Sequence, residues 1–300
     1  MPAILILGSE GFIGSNLVKH FQTTEFTVTG CDLYETSREQ NYRYYKVSRL
    51  SPGWEEIFSG RHFDFCINAA GSGNVPYSMS HPLADFEANT LDVIRVLDAI
   101  RQFDPGCRYV HLSSAAVYGN PIQLPVNESA STTPLSPYGF HKLMSEFVCR
   151  EYYQVFDIRS VIIRPFSVYG EGLRKQLFWD ICNKLKNEEN IKLFGTGKES
   201  RDFLHVRDLA LLIQRIMEQL DFSCNVINAG SGTESTLQVV ADVMQRTFKG
   251  KKKISFSGEV RKGDPVNWRA DTSIYKKLGF TPSITLEDGI PVYVNWFDSI

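Results

Sequence analysis

Short apolar runs alternate with helical patterns along the first half of the chain. The run Ala3 to Leu7, bounded by glycine, is typical of a buried parallel strand. Similar β-like runs follow it at 27–32, 63–68, 108–113 and 158–164. Apolar residues at helical spacing fall between them, in the helices predicted at 12–21, 83–103 and 137–156. Strands that alternate with helices predict an α/β fold, a doubly wound parallel sheet with helices on both faces.

The pattern changes after about residue 170, where helical and short extended stretches mix. Loops are predicted at 195–197 and 230–232, both rich in glycine. We therefore predict a main domain at 1–170 and a smaller, mixed α/β lobe at 171–300, some of whose segments return to the main sheet. No internal repeat or low-complexity linker separates the two.

Composition excludes several classes of protein. Hydrophobic residues make up 43% of the 300 and charged residues 22%, which is an ordinary globular balance. The net charge of −2 gives no drive towards nucleic acid or acidic membranes. The six cysteines form no metal-binding pair, no apolar run approaches the length of a membrane span, and no leader is recognised. These features favour a cytoplasmic protein with no metal.

Three glycines lie in the first turn at a GxxGxxG spacing. Gly8, Gly11 and Gly14 follow a predicted strand and open a helix. Glycine allows a tight turn and lets the backbone approach a pyrophosphate, which then lies at the helix N-terminus. Glycines also occur in plain strand-to-helix turns. Their place between strand and helix favours a dinucleotide site that includes Phe12 and Ile13.

A carboxylate closes the second predicted strand. Asp32 lies 18 residues beyond Gly14, where an acidic side chain can bind the ribose hydroxyls of an adenosine. It also repels a 2′-phosphate, which favours NAD over NADP. Arg38 is close enough to Asp32 in the sequence that NADP remains an alternative cofactor.

A tyrosine and a lysine lie four residues apart on the helix at 137–156. Tyr138 is a poor base at its ordinary pKa, but the ammonium of Lys142 and an oxidised nicotinamide would both stabilise its phenolate. Ser113 and Ser114 end a predicted strand, at the edge where ligands bind open α/β sheets. A serine hydroxyl there can hydrogen-bond the reacting oxygen. Such a tyrosine–lysine pair alone is common, whereas the pair with this serine and the glycine turn is specific.

Together these residues resemble the extended short-chain dehydrogenase/reductase family, and within it the nucleotide-sugar epimerases and dehydratases. The resemblance covers nearly all of the chain and includes further segments at 68–71, 89, 164–170, 201–208 and 261–264. It implies a Rossmann domain with tightly held NAD and a small C-terminal lobe that binds a nucleotide-diphosphate sugar, with UDP-sugars favoured.

The resemblance also assigns roles to individual residues. It makes Ser114, Tyr138 and Lys142 the catalytic residues. The residues it places on the cofactor are Gly8, Gly11, Phe12, Ile13, Gly14, Asp32, Ala69, Ala70, Asn89, Ser113, Tyr138, Lys142 and Pro165. Those it places on the substrate are Ser114, Tyr138, Ser167, Arg201, Arg261 and Asp264. The two arginines fit a diphosphate because guanidinium groups match phosphate oxygens.

Three reactions share this scaffold, and the residues after Ser114 help to separate them. A 4,6-dehydratase needs an extra acid and base, which relatives carry as Asp-Glu after the catalytic hydroxyl, whereas this chain has Ala115 and Ala116. A 4-epimerase removes and returns hydride at C4 through a 4-keto sugar. A ketoreductase uses the same residues once, with exchangeable NAD(P)H. We predict the epimerase, with the ketoreductase and a non-catalytic NAD-binding regulator as alternatives.

The two long helices also predict an assembly. Helices 83–103 and 137–156 carry apolar residues on more than one side, for example Leu143, Phe147 and Tyr152. In relatives these helices pair with their mates in a four-helix interface. We therefore expect a homodimer, the commonest homo-oligomer.

Overall fold

The computed structural model describes residues 1–49, 51–248, 252–259 and 266–300. Its strands are β1 (Ala3–Leu7), β2 (Thr27–Asp32), β3 (Arg43–Lys46), β4 (Phe65–Asn68), β5 (Arg108–Leu112), β6 (Ser160–Pro165), β7 (Ser167–Tyr169), β8 (Ile191–Leu193), β9 (Ser200–His205), β10 (Ser223–Ala229), β11 (Glu234–Thr236) and β12 (Ile254–Phe256). Its α-helices are α1 (Phe12–Phe21), α2 (Trp54–Phe58), α3 (Val75–Ser80), α4 (Pro82–Phe86), α5 (Asp92–Phe103), α6 (Pro137–Phe156), α7 (Gln176–Asn187), α8 (Val206–Gln219), α9 (Leu237–Thr247), α10 (Ser273–Lys277) and α11 (Leu286–Asp298).

The main sheet has seven strands in the order β10-β6-β5-β4-β1-β2-β3. All pairs from β6 to β3 are parallel. The chain runs outwards from β1 to β3 and then starts again on the other side of β1 with β4. This reversal creates a topological switch point between β1 and β4, where open α/β sheets bind their ligands. The predicted doubly wound fold is confirmed.

The strands predicted from apolar runs are those buried on both faces. Ile4 to Leu7 in β1 are 0–2% exposed, which explains their unbroken apolar sequence. The sheet also includes β3, which the sequence analysis did not predict. β3 is an edge strand that is only half-buried, so its sequence, Arg-Tyr-Tyr-Lys, carries no apolar run.

The two long helices differ in how well the sequence predicted them. The helix predicted at 137–156 is α6 with the same bounds, and its N-cap Ser136 accepts a hydrogen bond from the Gly139 backbone N–H. The helix predicted at 83–103 is instead α4, a π-helical turn at Glu87–Leu91 and then α5. The wider turn buries Asn89. Within the described ranges, no helix is long and apolar enough to cross a membrane.

The chain forms two compact units. The first comprises 1–119, 132–165 and 213–227, and the second comprises 120–131, 166–212 and 228–300. The boundary was predicted at residue 170, with some later segments expected to return to the main sheet; β10, which lies in that sheet, comes late in the chain. The second unit holds a three-stranded sheet, β11-β9-β7, and the parallel pair β12-β8.

A buried ion pair joins α6 to the end of β6 in the first unit. Arg164 donates from Nε to Glu146 Oε1 (2.8 Å) and from Nη2 to Oε2 (2.6 Å), and both side chains are at most 2% exposed. Arg164 Nη1 donates to the Tyr118 hydroxyl (2.7 Å), and the Ser113 hydroxyl donates to Glu146 Oε1 (2.6 Å). These bonds connect the ends of β5 and β6 to one turn of α6.

We predict that Glu146→Gln lowers the free energy of unfolding by about 3–5 kcal/mol, because it leaves the buried Arg164 guanidinium without its counter-charge. Urea unfolding measures this loss. Glu151→Gln, at an exposed position of the same helix, is the matched control and should change stability by less than about 0.5 kcal/mol. Equal stability of the two variants would contradict the importance of the pair.

Candidate active site

The glycine turn after β1 packs directly against the turn after β4. Gly8 has a φ of +74°, and a Cβ atom there would lie 2.7 Å from the Ala70 backbone. A Cβ at Gly14 would lie 1.9 Å from the Gly8 carbonyl oxygen. Only glycine fits both positions. At the switch point between β1 and β4, the backbone at Gly8 and Gly14 therefore has no Cβ atom to block the approach of a ligand.

Helix α1 begins at this turn. Its N-cap is Gly11, and among the described residues no side chain caps the helix. The first turn, which starts with Phe12 and Ile13, contains no acidic residue. Uncapped N–H groups and the helix dipole together attract an anion. The structure of this turn therefore fits the pyrophosphate of a dinucleotide.

Asp32 ends β2 beside the glycine turn. Its Oδ2 accepts a hydrogen bond from the Glu10 backbone N–H (2.9 Å) and its Oδ1 accepts one from the Leu33 N–H (2.7 Å). These two bonds fix the orientation of the carboxylate. The predicted ribose ligand thus lies at the same sheet edge as the predicted pyrophosphate site.

The segment after β4 lines the other side of the glycine turn. The Ala69 N–H donates to the Leu7 carbonyl (3.0 Å), and the Ala70 N–H donates to Asn68 Oδ1 (3.0 Å). Asn89, predicted to contact the cofactor, forms two hydrogen bonds with the Ser72 backbone, accepting from its N–H (3.2 Å) and donating to its carbonyl (3.1 Å). Asn89 therefore holds this loop in place through its amide.

The structure brings together the three predicted catalytic residues. Ser114 follows β5 and caps a short 3-10 helix, Ala115–Tyr118, by accepting from the Ala116 N–H (3.1 Å). The Ser114 hydroxyl also hydrogen-bonds the phenol of Tyr138. Lys142, one turn further along α6, is buried and donates from Nζ to the Leu112 carbonyl (2.9 Å).

Burial shifts the pKa of both titratable groups towards the neutral form. It raises the pKa of Tyr138 to about 12, although the hydrogen bond from Ser114 acts in the opposite direction. It lowers the pKa of Lys142 to about 8, against the attraction of Asp85. The phenol is therefore protonated at neutral pH, and it needs a further positive charge beside it to act as a base.

The sequence of the chain matches a known protein family. Residues 4–230 match the model of the NAD dependent epimerase/dehydratase family. The chain belongs to this family. The predicted family and its cofactor, NAD, are thereby confirmed, and the bare glycine turn beside Asp32 is a site that fits NAD.

Individual relatives agree with the family match over almost the whole chain. A putative UDP-glucose 4-epimerase of Methanocaldococcus jannaschii is 30% identical, and the alignment covers 98% of this chain and 97% of that one. A UDP-glucuronate 4-epimerase of Thermodesulfobacterium geofontis is 24% identical, and the alignment covers 99% of this chain and 96% of that one. Among solved structures, the UDP-N-acetylglucosamine 4-epimerase of Methanobrevibacter ruminantium superposes with a TM-score of 0.90 at 24% identity. The match covers 99% of this chain and 98% of that one.

Two further residues predicted on the cofactor lie at strand ends of the same sheet. The Ser113 N–H donates to the Ile163 carbonyl (2.8 Å), and its hydroxyl is bonded to Glu146. The Ser113 hydroxyl therefore supports the fold, and its neighbour Ser114 reaches the tyrosine. Pro165 is the last residue of β6.

Of the predicted substrate residues, Ser114 and Tyr138 belong to the first unit, and Ser167 and Arg201 belong to the second. Ser167 starts β7 and is half-buried. Arg201, on β9, donates from Nη1 to the Ser200 (2.8 Å) and Val266 (3.2 Å) carbonyls, and its guanidinium lies 5.7 Å from the ring centre of Trp268. Arg261 and Asp264 lie outside the described residues.

Two carboxylates that shape this site were not predicted from the sequence. Glu146 lies four residues beyond Lys142, so helical spacing could have pointed to it. Glu10 lies between the glycines of the turn, is 4% exposed and hydrogen-bonds residues 37, 38 and 42. A carboxylate inside a turn expected to bind phosphate was the available signal.

We predict that Tyr138→Phe lowers turnover by at least about 10²-fold, because the ring stays and the proton carrier is lost. Bound NAD, measured by its release on denaturation, should not change. Tyr153→Phe, a half-buried tyrosine of the same helix, is the control and should keep its activity. A near wild-type rate for Tyr138→Phe would refute its assignment as general acid/base.

Proposed function

We propose that the protein is an NAD-dependent 4-epimerase of nucleotide-diphosphate sugars, with UDP-sugars as the favoured substrates. The observation that carries this proposal is the cluster of Ser114, Tyr138 and Lys142 beside the dinucleotide site. One acid/base serves one oxygen, which is what reversible oxidation at a single sugar carbon requires. An intact cluster also argues against a non-catalytic regulator.

Bound NAD would supply a reversible hydride acceptor, and the proton steps fall on this chain. Tyr138 would take the proton from the C4 hydroxyl and return it to the same oxygen, while Ser114 hydrogen-bonds that oxygen. Lys142 contributes a positive charge that favours the phenolate. The keto sugar must rotate between the two hydride transfers so that its other face meets the nicotinamide. Its diphosphate therefore has to stay bound. Arg201 and Arg261 are the cations we assign to that diphosphate.

The residues after Ser114 argue against elimination of water. Ala115 is fully buried and Ala116 is half-buried in the 3-10 helix. Neither side chain can transfer a proton, so the acid and base that a 4,6-dehydratase needs are absent from these two positions.

The names of the relatives support the choice of reaction and nucleotide. The Methanocaldococcus relative is named as a putative UDP-glucose 4-epimerase and the Thermodesulfobacterium relative as a UDP-glucuronate 4-epimerase. The two names share the C4 position and the UDP carrier but differ in the sugar. We therefore propose the reaction at C4 and leave the identity of the hexose to the assay.

We predict that the purified protein interconverts the C4 epimers of a UDP-hexose, UDP-hexuronic acid or UDP-N-acetylhexosamine without added NAD. NMR and mass spectrometry of the products measure both stereochemistry and mass, with Tyr138→Phe as the inactive control. A product lighter by one water would contradict the argument from Ala115 and Ala116. Strict dependence on NADPH, consumed in proportion to product, would establish the ketoreductase instead.

We also propose a homodimer, formed through an apolar surface on α6. Phe140, Met144 and Phe147 are 48%, 44% and 57% exposed and follow one another at helical spacing. Leu83, just before the π-helical turn, is 70% exposed. A run of large apolar side chains left in water on a long helix is the usual mark of a protein–protein contact.

We predict that light scattering at micromolar concentration gives the mass of a dimer, and that Phe147→Asp shifts it towards the monomer because a charge is costly inside an apolar interface. Ile122→Asp is the matched control, since Ile122 is fully exposed but lies away from α6 in the sequence. A monomeric wild-type protein would refute the dimer.

A further inference from the structure

The glycine turn holds a second carboxylate beside Asp32. The Glu10 backbone N–H donates to Asp32 Oδ2 (2.9 Å), so the two acidic residues are joined directly. The Glu10 carboxylate points to the segment after β2, where Oε1 accepts from the hydroxyls of Ser37 (2.7 Å) and Tyr42 (3.2 Å). Burial raises the pKa of Tyr42, which keeps this phenol a donor.

Glu10 also contacts Arg38, the residue whose position in the sequence kept NADP as an alternative cofactor. The Arg38 backbone N–H donates to Glu10 Oε2 (3.0 Å), and Arg38 Nε lies 3.8 Å from the same oxygen. The Arg38 guanidinium lies 5.4 Å from the ring centre of Tyr34. An arginine in this segment is the cation that could neutralise a 2′-phosphate, and here a buried carboxylate holds it.

A second cation near this edge is paired as well. Lys46 lies opposite Asp32 in the pairing of β2 with β3, and it forms an ion pair with Glu35. Of the three cations on β2, β3 and their connection, Arg38 and Lys46 each have a carboxylate partner, and Arg43 lies opposite Thr29, at a distance of three residues along β3 from Lys46. A 2′-phosphate placed here would meet the charges of Asp32 and Glu10 and would have to compete with carboxylates for Arg38 and Lys46.

We propose that Glu10 is a second determinant of NAD selectivity, which acts with Asp32 by adding negative charge and by holding Arg38. The proposal rests on the NAD-dependent function proposed above and deepens it. Two carboxylates share the discrimination, so removing Asp32 alone leaves the second charge and keeps Arg38 occupied. Arg38 becomes available to a phosphate only when Glu10 loses its charge.

A purely structural role for Glu10 predicts a different outcome. If its hydrogen bonds only fold the loop, then Glu10→Gln, which keeps an acceptor oxygen, should affect NAD and NADP equally or not at all. If its charge is the determinant, the same variant should raise the occupancy by NADP relative to NAD.

The test is a competition between the two nucleotides. Each variant is incubated to equilibrium with equal concentrations of NAD and NADP and desalted, and the bound nucleotides are released and quantified by chromatography. The variants are Asp32→Asn, Glu10→Gln, the double variant, and the double variant with Arg38→Ala. Glu39→Gln is the matched control, because Glu39 lies in the same loop but pairs with Lys19 (3.2 Å).

We expect each single substitution to raise the NADP to NAD ratio by about 10-fold, and the double variant by more than either alone. Arg38→Ala should lower the ratio of the double variant by at least about 10-fold, since the phosphate then loses its cation. Glu39→Gln should leave the ratio unchanged.

Three results would overturn the proposal. These are an unchanged ratio in Glu10→Gln, an equal loss of both nucleotides, and an Arg38→Ala substitution without effect in the double variant. Each would leave the proposed epimerase intact, provided that the wild-type protein still carries NAD. A wild-type protein that preferred NADP would overturn both proposals at once.

Discussion

The buried ion pair between Glu146 and Arg164 is the interaction on which the arrangement of the active site depends. It joins α6, one turn after Lys142, to the end of β6, and through Ser113 it reaches the end of β5. Ser114, the proposed catalytic serine, is the residue after Ser113. A shift of either charged partner would therefore move the serine and lysine relative to each other. The bidentate geometry allows little such shift.

This pair determines geometry more than it determines stability. Two charges taken from water lose hydration that their attraction only partly restores, so apolar residues of the same volume could hold the fold as well. Apolar contacts, however, have no direction. The fork of Arg164 reaches Glu146 and the Tyr118 hydroxyl at once, and it fixes the 3-10 helix that Ser114 caps. We infer that this directionality is what the site gains from the buried charges.

The features that could be predicted from sequence are those with local signals. The buried strands and α6 follow from apolar runs and helical spacing, and the tyrosine–lysine pair lies within one helix turn. Glu10 and Glu146 were missed because their partners Arg38 and Arg164 lie 28 and 18 residues away in the chain. Such pairings depend on how strands are ordered. Local patterns did not identify β10 as a segment that returns to the main sheet for the same reason, although such a return was expected.

The electrostatics of Tyr138 and Lys142 suit a reaction that runs in both directions. Burial moves the pKa of the phenol up to about 12 and that of the ammonium down to about 8, so neither charged form is strongly favoured by the protein alone. The proton affinity of Tyr138 then responds to any charge that arrives beside it. Beside an oxidised, positively charged nicotinamide the phenol would release its proton more readily, and beside the neutral reduced ring it would keep a proton to donate. In the proposed epimerase, Tyr138 would therefore serve as the base when hydride leaves the sugar and as the acid when hydride returns.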